Sequence, residues 1–106
     1  MIVDMRTYTA KPGKLAEWVK IYKEYGWPLQ QKYLGTCLGF YTVAEGSLNQ
    51  VVHMWRYENQ GDREQRRAAM ARDPAWQEFV RRSAEAECLL SQENVFLSAT
   101  DFSPQQ

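Results

Sequence analysis

Residues 2–9 alternate in character. Val3, Met5 and Thr7 fall on one side of an extended chain and Ile2, Asp4, Arg6 and Tyr8 on the other, the period-two pattern of a strand. A turn at Lys11, Pro12, Gly13 and Lys14 then changes the period. Leu15, Trp18, Val19, Tyr22 and Tyr25 recur every three or four residues, which predicts an amphipathic helix that Gly26, Trp27 and Pro28 stop or bend. A further turn or two of helix is expected between Leu29 and Leu34. Two β-branched and aromatic runs, residues 38–43 and 51–57, are split by a short polar segment and predict an antiparallel hairpin. A second helix is expected from residue 63 to residue 71, capped by Asp62, and it restarts at Asp73, a capping residue placed directly before a proline. Its buried stripe is Trp76, Phe79, Val80 and Ser83. Residues 94–99 alternate once more, and residues 101–106 are polar enough to read as a loose tail.

The order β-α-β-β-α-β is the split-βαβ, ferredoxin-like pattern of the α+β class. It predicts one domain over residues 1–100, with a four-stranded antiparallel sheet in spatial order 4-1-3-2 and both helices on one face. The third strand is apolar or aromatic on both sides, with Val52 and Met54 on one and Val51, His53, Trp55 and Tyr57 on the other. Two helices can cover only one side, and large bare apolar faces are uncommon on soluble monomers. A second copy of the sheet, packed face to face about a two-fold axis, is the economical cover, so a homodimer is expected.

Composition narrows the function classes. The chain has 106 residues, enough for one ordinary domain, and its 13 basic residues balance 13 acidic ones. Neither half is strongly charged, so there is no footprint for nucleic acid and no polybasic membrane anchor. No window approaches the roughly 20 apolar residues of a membrane span. A soluble, cytoplasmic protein is expected, with Cys37 and Cys88 as reduced thiols.

Four blocks carry a resemblance. Residues 48–57, Leu-Asn-Gln-Val-Val-His-Met-Trp-Arg-Tyr, the opening Met-Arg-Thr-Tyr-Thr-Ala-Lys-Pro-Gly of residues 5–13, and Asp73-Pro74-Ala75-Trp76 with Ser91-Gln92-Glu93-Asn94 together resemble the NIPSNAP family over nearly the whole chain. The resemblance implies a unit of the dimeric α/β-barrel superfamily, in agreement with the pattern above. It implies no settled reaction. Neighbouring families include monooxygenases, but fold alone does not transfer function. Gly61 departs from the pattern and leaves the start of the second helix open.

His53 is the only histidine, the side chain best suited to acid–base chemistry near neutral pH. If the helices cover the Val3, Met5, Val52 and Met54 faces, Arg6, Tyr8, His53 and Trp55 converge on the other face, joined by Tyr41 or Phe40 and by Asn94 and Phe96. An aromatic wall with few polar groups is the usual make-up of a small-molecule pocket. In an enzyme His53 would be the general acid or base and Arg6 the anchor for a carboxylate or enolate oxygen, with Tyr8, Tyr41, Trp55, Asn94 and Phe96 against the substrate. The alternative is a non-catalytic dimeric scaffold or ligand sensor, in which His53 is a satisfied core residue and Arg6 pairs with Asp4 or Glu93. One histidine without ligand spacing makes a metal site improbable, and no cofactor is expected. Trp18, Tyr22, Trp76 and Phe79 read as core, and Arg63, Arg66 and Arg67 as a solvated helix face.

Overall fold

A computed structural model describes residues 1–104. Strand β1 (Ile2–Ala10) leads through a turn at Gly13 into helix α1 (Leu15–Ile21). One π-helical turn (Tyr22–Gly26) follows, and the axis continues as α2 (Trp27–Tyr33). The hairpin strands are β2 (Thr36–Thr42) and β3 (Gln50–Tyr57), and helices α3 (Gln60–Ala71) and α4 (Pro74–Ala86) precede β4 (Leu89–Leu97). The sheet is antiparallel in the order β2-β3-β1-β4, which is the expected ferredoxin-like arrangement.

Local chemistry explains the elements. The helix does not stop at Gly26. There the Trp27 N–H bonds back to the Tyr22 carbonyl, a π-turn that carries the chain past Pro28 without a break. Glycine is needed at that point, because a Cβ would lie 2.9 Å from the Phe79 ring of α4. Helix α3 starts earlier than expected. Its cap is Asn59, whose side chain accepts from Asp62 N–H at 2.8 Å, while Asp62 accepts from Glu58 N–H at 3.1 Å, so Asp62 completes the cap from inside the first turn. Gly61 sits within that turn and does not interrupt it. Asp73 caps α4 as its sequence suggests, accepting from Ala75 N–H at 2.9 Å with Pro74 behind it.

Strand β4 begins five residues before the alternation that announces it. It is an edge strand, exposed at almost every position, and its polar first half pairs with β1 through backbone bonds that ask nothing of side-chain hydropathy. Of the tail, a turn forms where Ser103 N–H bonds the Thr100 carbonyl, and residues 105 and 106 lie outside the described residues.

The helices take the opposite face from the one assumed for Val3 and Met5. Along β3 the burial alternates strictly, with Val51, His53, Trp55 and Tyr57 inside and Val52, Met54 and Arg56 half-covered. On β1 the inner positions are Asp4, Arg6, Tyr8 and Ala10. The domain is therefore a two-layer body, 18 Å in its thinnest dimension, with its core between helices and sheet and a bare outer sheet face. Cys37 and Cys88 are free thiols.

Candidate functional site

Register decides which expected site residues can meet. Arg6 stands opposite His53 on one side and Asn94 on the other, and Phe96 stands opposite Asp4, so these residues share the helix-facing side of the sheet. Phe40 pairs with His53, whereas Tyr41 pairs with Val52. Tyr41 therefore points to the outer face, 54% exposed, and Phe40 takes its place by stacking on His53 at 4.4 Å between centroids.

His53 is packed on all sides. The indole N–H of Trp55 donates to His53 Nδ1 at 2.8 Å, and Tyr8 meets the ring edge-on at 4.9 Å. With Nδ1 accepting, the neutral ring carries its proton on Nε2, which is buried and has no hydrogen-bond partner among the described residues. Burial, reinforced by the Arg6 cation, pushes the His53 pKa down to about 3. The imidazole is therefore neutral, with its acceptor nitrogen taken by the Trp55 indole.

The charged residues gather around Asp4. Its carboxylate, fully buried, accepts from Arg6 at 3.2 Å, from Arg63 at 3.0 Å and from Asn94 at 3.0 Å. Burial by itself would raise its pKa, but the Asn94 bond and the Arg6 and Arg63 cations hold it below the usual carboxylate range. Arg6 also donates to the Tyr8 hydroxyl at 3.0 Å, and the Arg63 guanidinium lies 4.9 Å above the Phe96 ring. Asn94 thus holds Asp4, and Phe96 lies under Arg63.

Arg63 comes from α3, and so does a third inward cation, Arg67. Its Nη1 is buried without a hydrogen-bond partner among the described residues. Burial and the neighbouring charges of Arg6 and Arg63 depress its pKa, the mark of a guanidinium that gains no compensating anion. The solvated-face reading fits Arg66, whose guanidinium reaches back to Asp62 at 2.8 Å, but not Arg63 and Arg67. A signal was present: residues 63, 67 and 70 recur at spacings of four and three, which puts both arginines on the stripe of the buried Met70.

Beside this cluster lies a cavity of about 640 Å³ between β1, β4, α1 and α4. Arg6, Tyr8 and Arg67 line it from the sheet and α3, and Trp18, Trp76 and Phe79 form apolar walls, while the exposed Val80 and Glu87 stand at its rim. Trp18 stacks on Tyr22 at 5.3 Å, and the Tyr22 hydroxyl donates to the Gln30 side chain. Residues expected only as core thus wall this cavity. Of the expected site residues, Arg6 and Tyr8 reach it. His53, Asn94 and Phe96 lie outside, and Trp55 borders a separate, smaller cleft beside Trp27 and Cys37. Among the described residues no group of three His, Cys, Asp or Glu side chains stands ready for a metal.

A sequence model of the NIPSNAP family matches residues 3–104. The chain belongs to the NIPSNAP family. A NipSnap homologue from Dictyostelium discoideum is 34% identical over 77 residues, covering 73% of this chain and 34% of its own length. The chain spans about a third of the length of the curated NipSnap relatives it matches. Among solved structures, a NIPSNAP family protein from Agrobacterium tumefaciens is 39% identical with a TM-score of 0.92, covering 99% of this chain and 98% of that one. An antibiotic biosynthesis monooxygenase, 14% identical with a TM-score of 0.62 over 94% of this chain and 99% of that one, shares the fold alone. Among the described residues of this NIPSNAP domain, no helix is long and apolar enough to cross a membrane.

Proposed function

We propose that this NIPSNAP domain binds a small apolar or aromatic molecule in the cavity between its helices and sheet. The cavity itself carries the reading. At about 640 Å³ it falls within the range of small-molecule sites, and its make-up, aromatic walls with a few polar groups, is that of a binding pocket. Arg6 and Tyr8 orient the ligand from the sheet, and Trp18, Trp76 and Phe79 hold its body. The placement of His53 favours binding over acid–base catalysis, because the ring does not border the space and its acceptor nitrogen is taken.

A neutral aromatic amide, 2-naphthamide, tests the reading through quenching of tryptophan fluorescence. Saturable binding is expected, lost on Ser83→Trp, which projects an indole from α4 into the cavity. Binding that survives Ser83→Trp in a folded variant places the ligand elsewhere and removes the proposal.

The outer sheet face supports a homodimer as part of the same reading. Val3, Met5, Val52 and Met54 meet Val95 and Leu97 there, the last two 49% and 41% exposed, and no layer of the domain covers them. Two such faces packed about a two-fold axis would bury this surface. Light scattering from a concentrated solution should give twice the monomer mass, and a monomer there would count against it.

A further inference from the structure

We infer that the ligand is an organic anion, an aromatic or otherwise apolar carboxylate whose charged end lies against Arg67 and Arg6. The inference rests on the cavity being a ligand site and goes further by fixing the chemistry of the ligand.

The charge balance of the buried cluster is its basis. Two guanidiniums, those of Arg6 and Arg63, pair with the Asp4 carboxylate, and a third, that of Arg67, lies near enough to both to feel their charge. Asp4 spends its oxygens on Arg6, Arg63 and Asn94, so Arg67 is left without a carboxylate, the Tyr57 hydroxyl being a neutral polar group beside it. A guanidinium stays charged in proteins, and an uncompensated buried charge is costly. Arg67 nevertheless occupies an α3 position that lines the cavity, where burial first and the charges of Arg6 and Arg63 second depress its pKa.

Donors point the same way. Among the described residues, two lining side chains hold a buried N–H with no acceptor, Arg67 Nη1 and the Trp18 indole Nε1. Neither group can accept a hydrogen bond, so the ligand that completes them must bring acceptor oxygens. A carboxylate brings two, in the planar arrangement that a guanidinium matches. The volume is far larger than a bare inorganic anion requires, and the ring faces of Trp18, Trp76 and Phe79 are apolar surface. An apolar body must fill the remainder.

The test compares 2-naphthoate with the near-isosteric 2-naphthamide by titration calorimetry on the full chain. Naphthoate should bind at least ten-fold more tightly. In Arg67→Met that preference should fall to within about two-fold, while naphthamide binding persists and the melting temperature stays level or rises, since an unpaired buried charge has been removed. Arg67→Lys should retain part of the preference. Equal affinity for the two probes in the unaltered chain overturns the anion assignment and leaves the pocket reading standing. Failure of both probes to bind removes the pocket reading and the inference together. A lowered melting temperature and loss of both ligands in Arg67→Met would make Arg67 a structural residue and overturn its assigned role.

Discussion

Protonating His53 should unfold this domain by an amount that the structure allows to be worked out. The ring is fully buried among Tyr8, Phe40 and Trp55, it accepts the Trp55 indole proton on Nδ1, and its pKa is pushed down to about 3. In the unfolded chain it returns to the ordinary histidine value of about 6.5. As pH falls below 6.5 the unfolded state takes up a proton that the native state refuses. Stability is therefore full above that value and declines steadily until the native pKa is reached. Each pH unit inside the window costs about 1.4 kcal/mol, so at pH 5 the loss is about 2 kcal/mol relative to pH 7. Against a total of about 5 to 15 kcal/mol for a domain of this size, such a loss is easily measured.

The window is unusually clean because the chain has a single histidine. Carboxylates contribute mainly below pH 5, where Asp4 in particular adds stability above about pH 4 and loses it on further acidification. Urea unfolding at pH 7, 6 and 5, at one fixed protein concentration, reads the slope. His53→Phe should be less stable at pH 7, since the Trp55 N–H loses its acceptor at a cost of about 1–3 kcal/mol, and its stability should be flat between pH 7 and 5, so that the two proteins converge toward pH 5. An equal slope in both proteins, or an imidazole that titrates near 6.5 by NMR in the folded state, would refute the buried, neutral assignment.

Two further outcomes follow from the same packing. Asp4→Ala leaves Arg6 and Arg63 buried without their shared anion and should cost about 3–5 kcal/mol by urea unfolding, with a loss below 1 kcal/mol showing that the cluster relaxes into water. Gly35→Ala places a Cβ 2.0 Å from the Arg56 carbonyl oxygen, where β2 meets β3, and should lower the melting temperature by at least about 5 °C, whereas an unchanged melting curve would mean that the strand pair shifts freely.

The order and type of the elements were legible because each rests on a local period. Strands β1 and β3 alternate over eight or nine residues, and α1 and α4 carry apolar stripes, so topology followed from a short list of permitted arrangements. The face that packs on the helices was not legible. Both sides of β3 are apolar, and the choice is made by size: the inner side takes His53, Trp55 and Tyr57, which reach the helix layer, and the outer side takes Val52 and Met54. Alternation reports that two faces differ, without saying which one a helix will choose. The polar half of β4 was equally hidden, because an edge strand is held by backbone bonds to a single neighbour.

The site shows the same division more sharply. Arg6 and Tyr8 could be named from β1, since strand register carries them to one face with His53. Arg67 could not be weighed as it deserved, because charge in a helix is usually solvated and only its spacing to Met70 argued otherwise. The consequence for the protein is chemical. A histidine that looked like the reactive group is held neutral and enclosed by Phe40, Tyr8 and Trp55, while an arginine that looked like surface stands beside an apolar cavity with a donor unspent. Asp4 keeps two of the three guanidiniums in place. The third lines the cavity, so the charge that this NIPSNAP domain presents there comes from α3 as much as from β1, which carries Arg6.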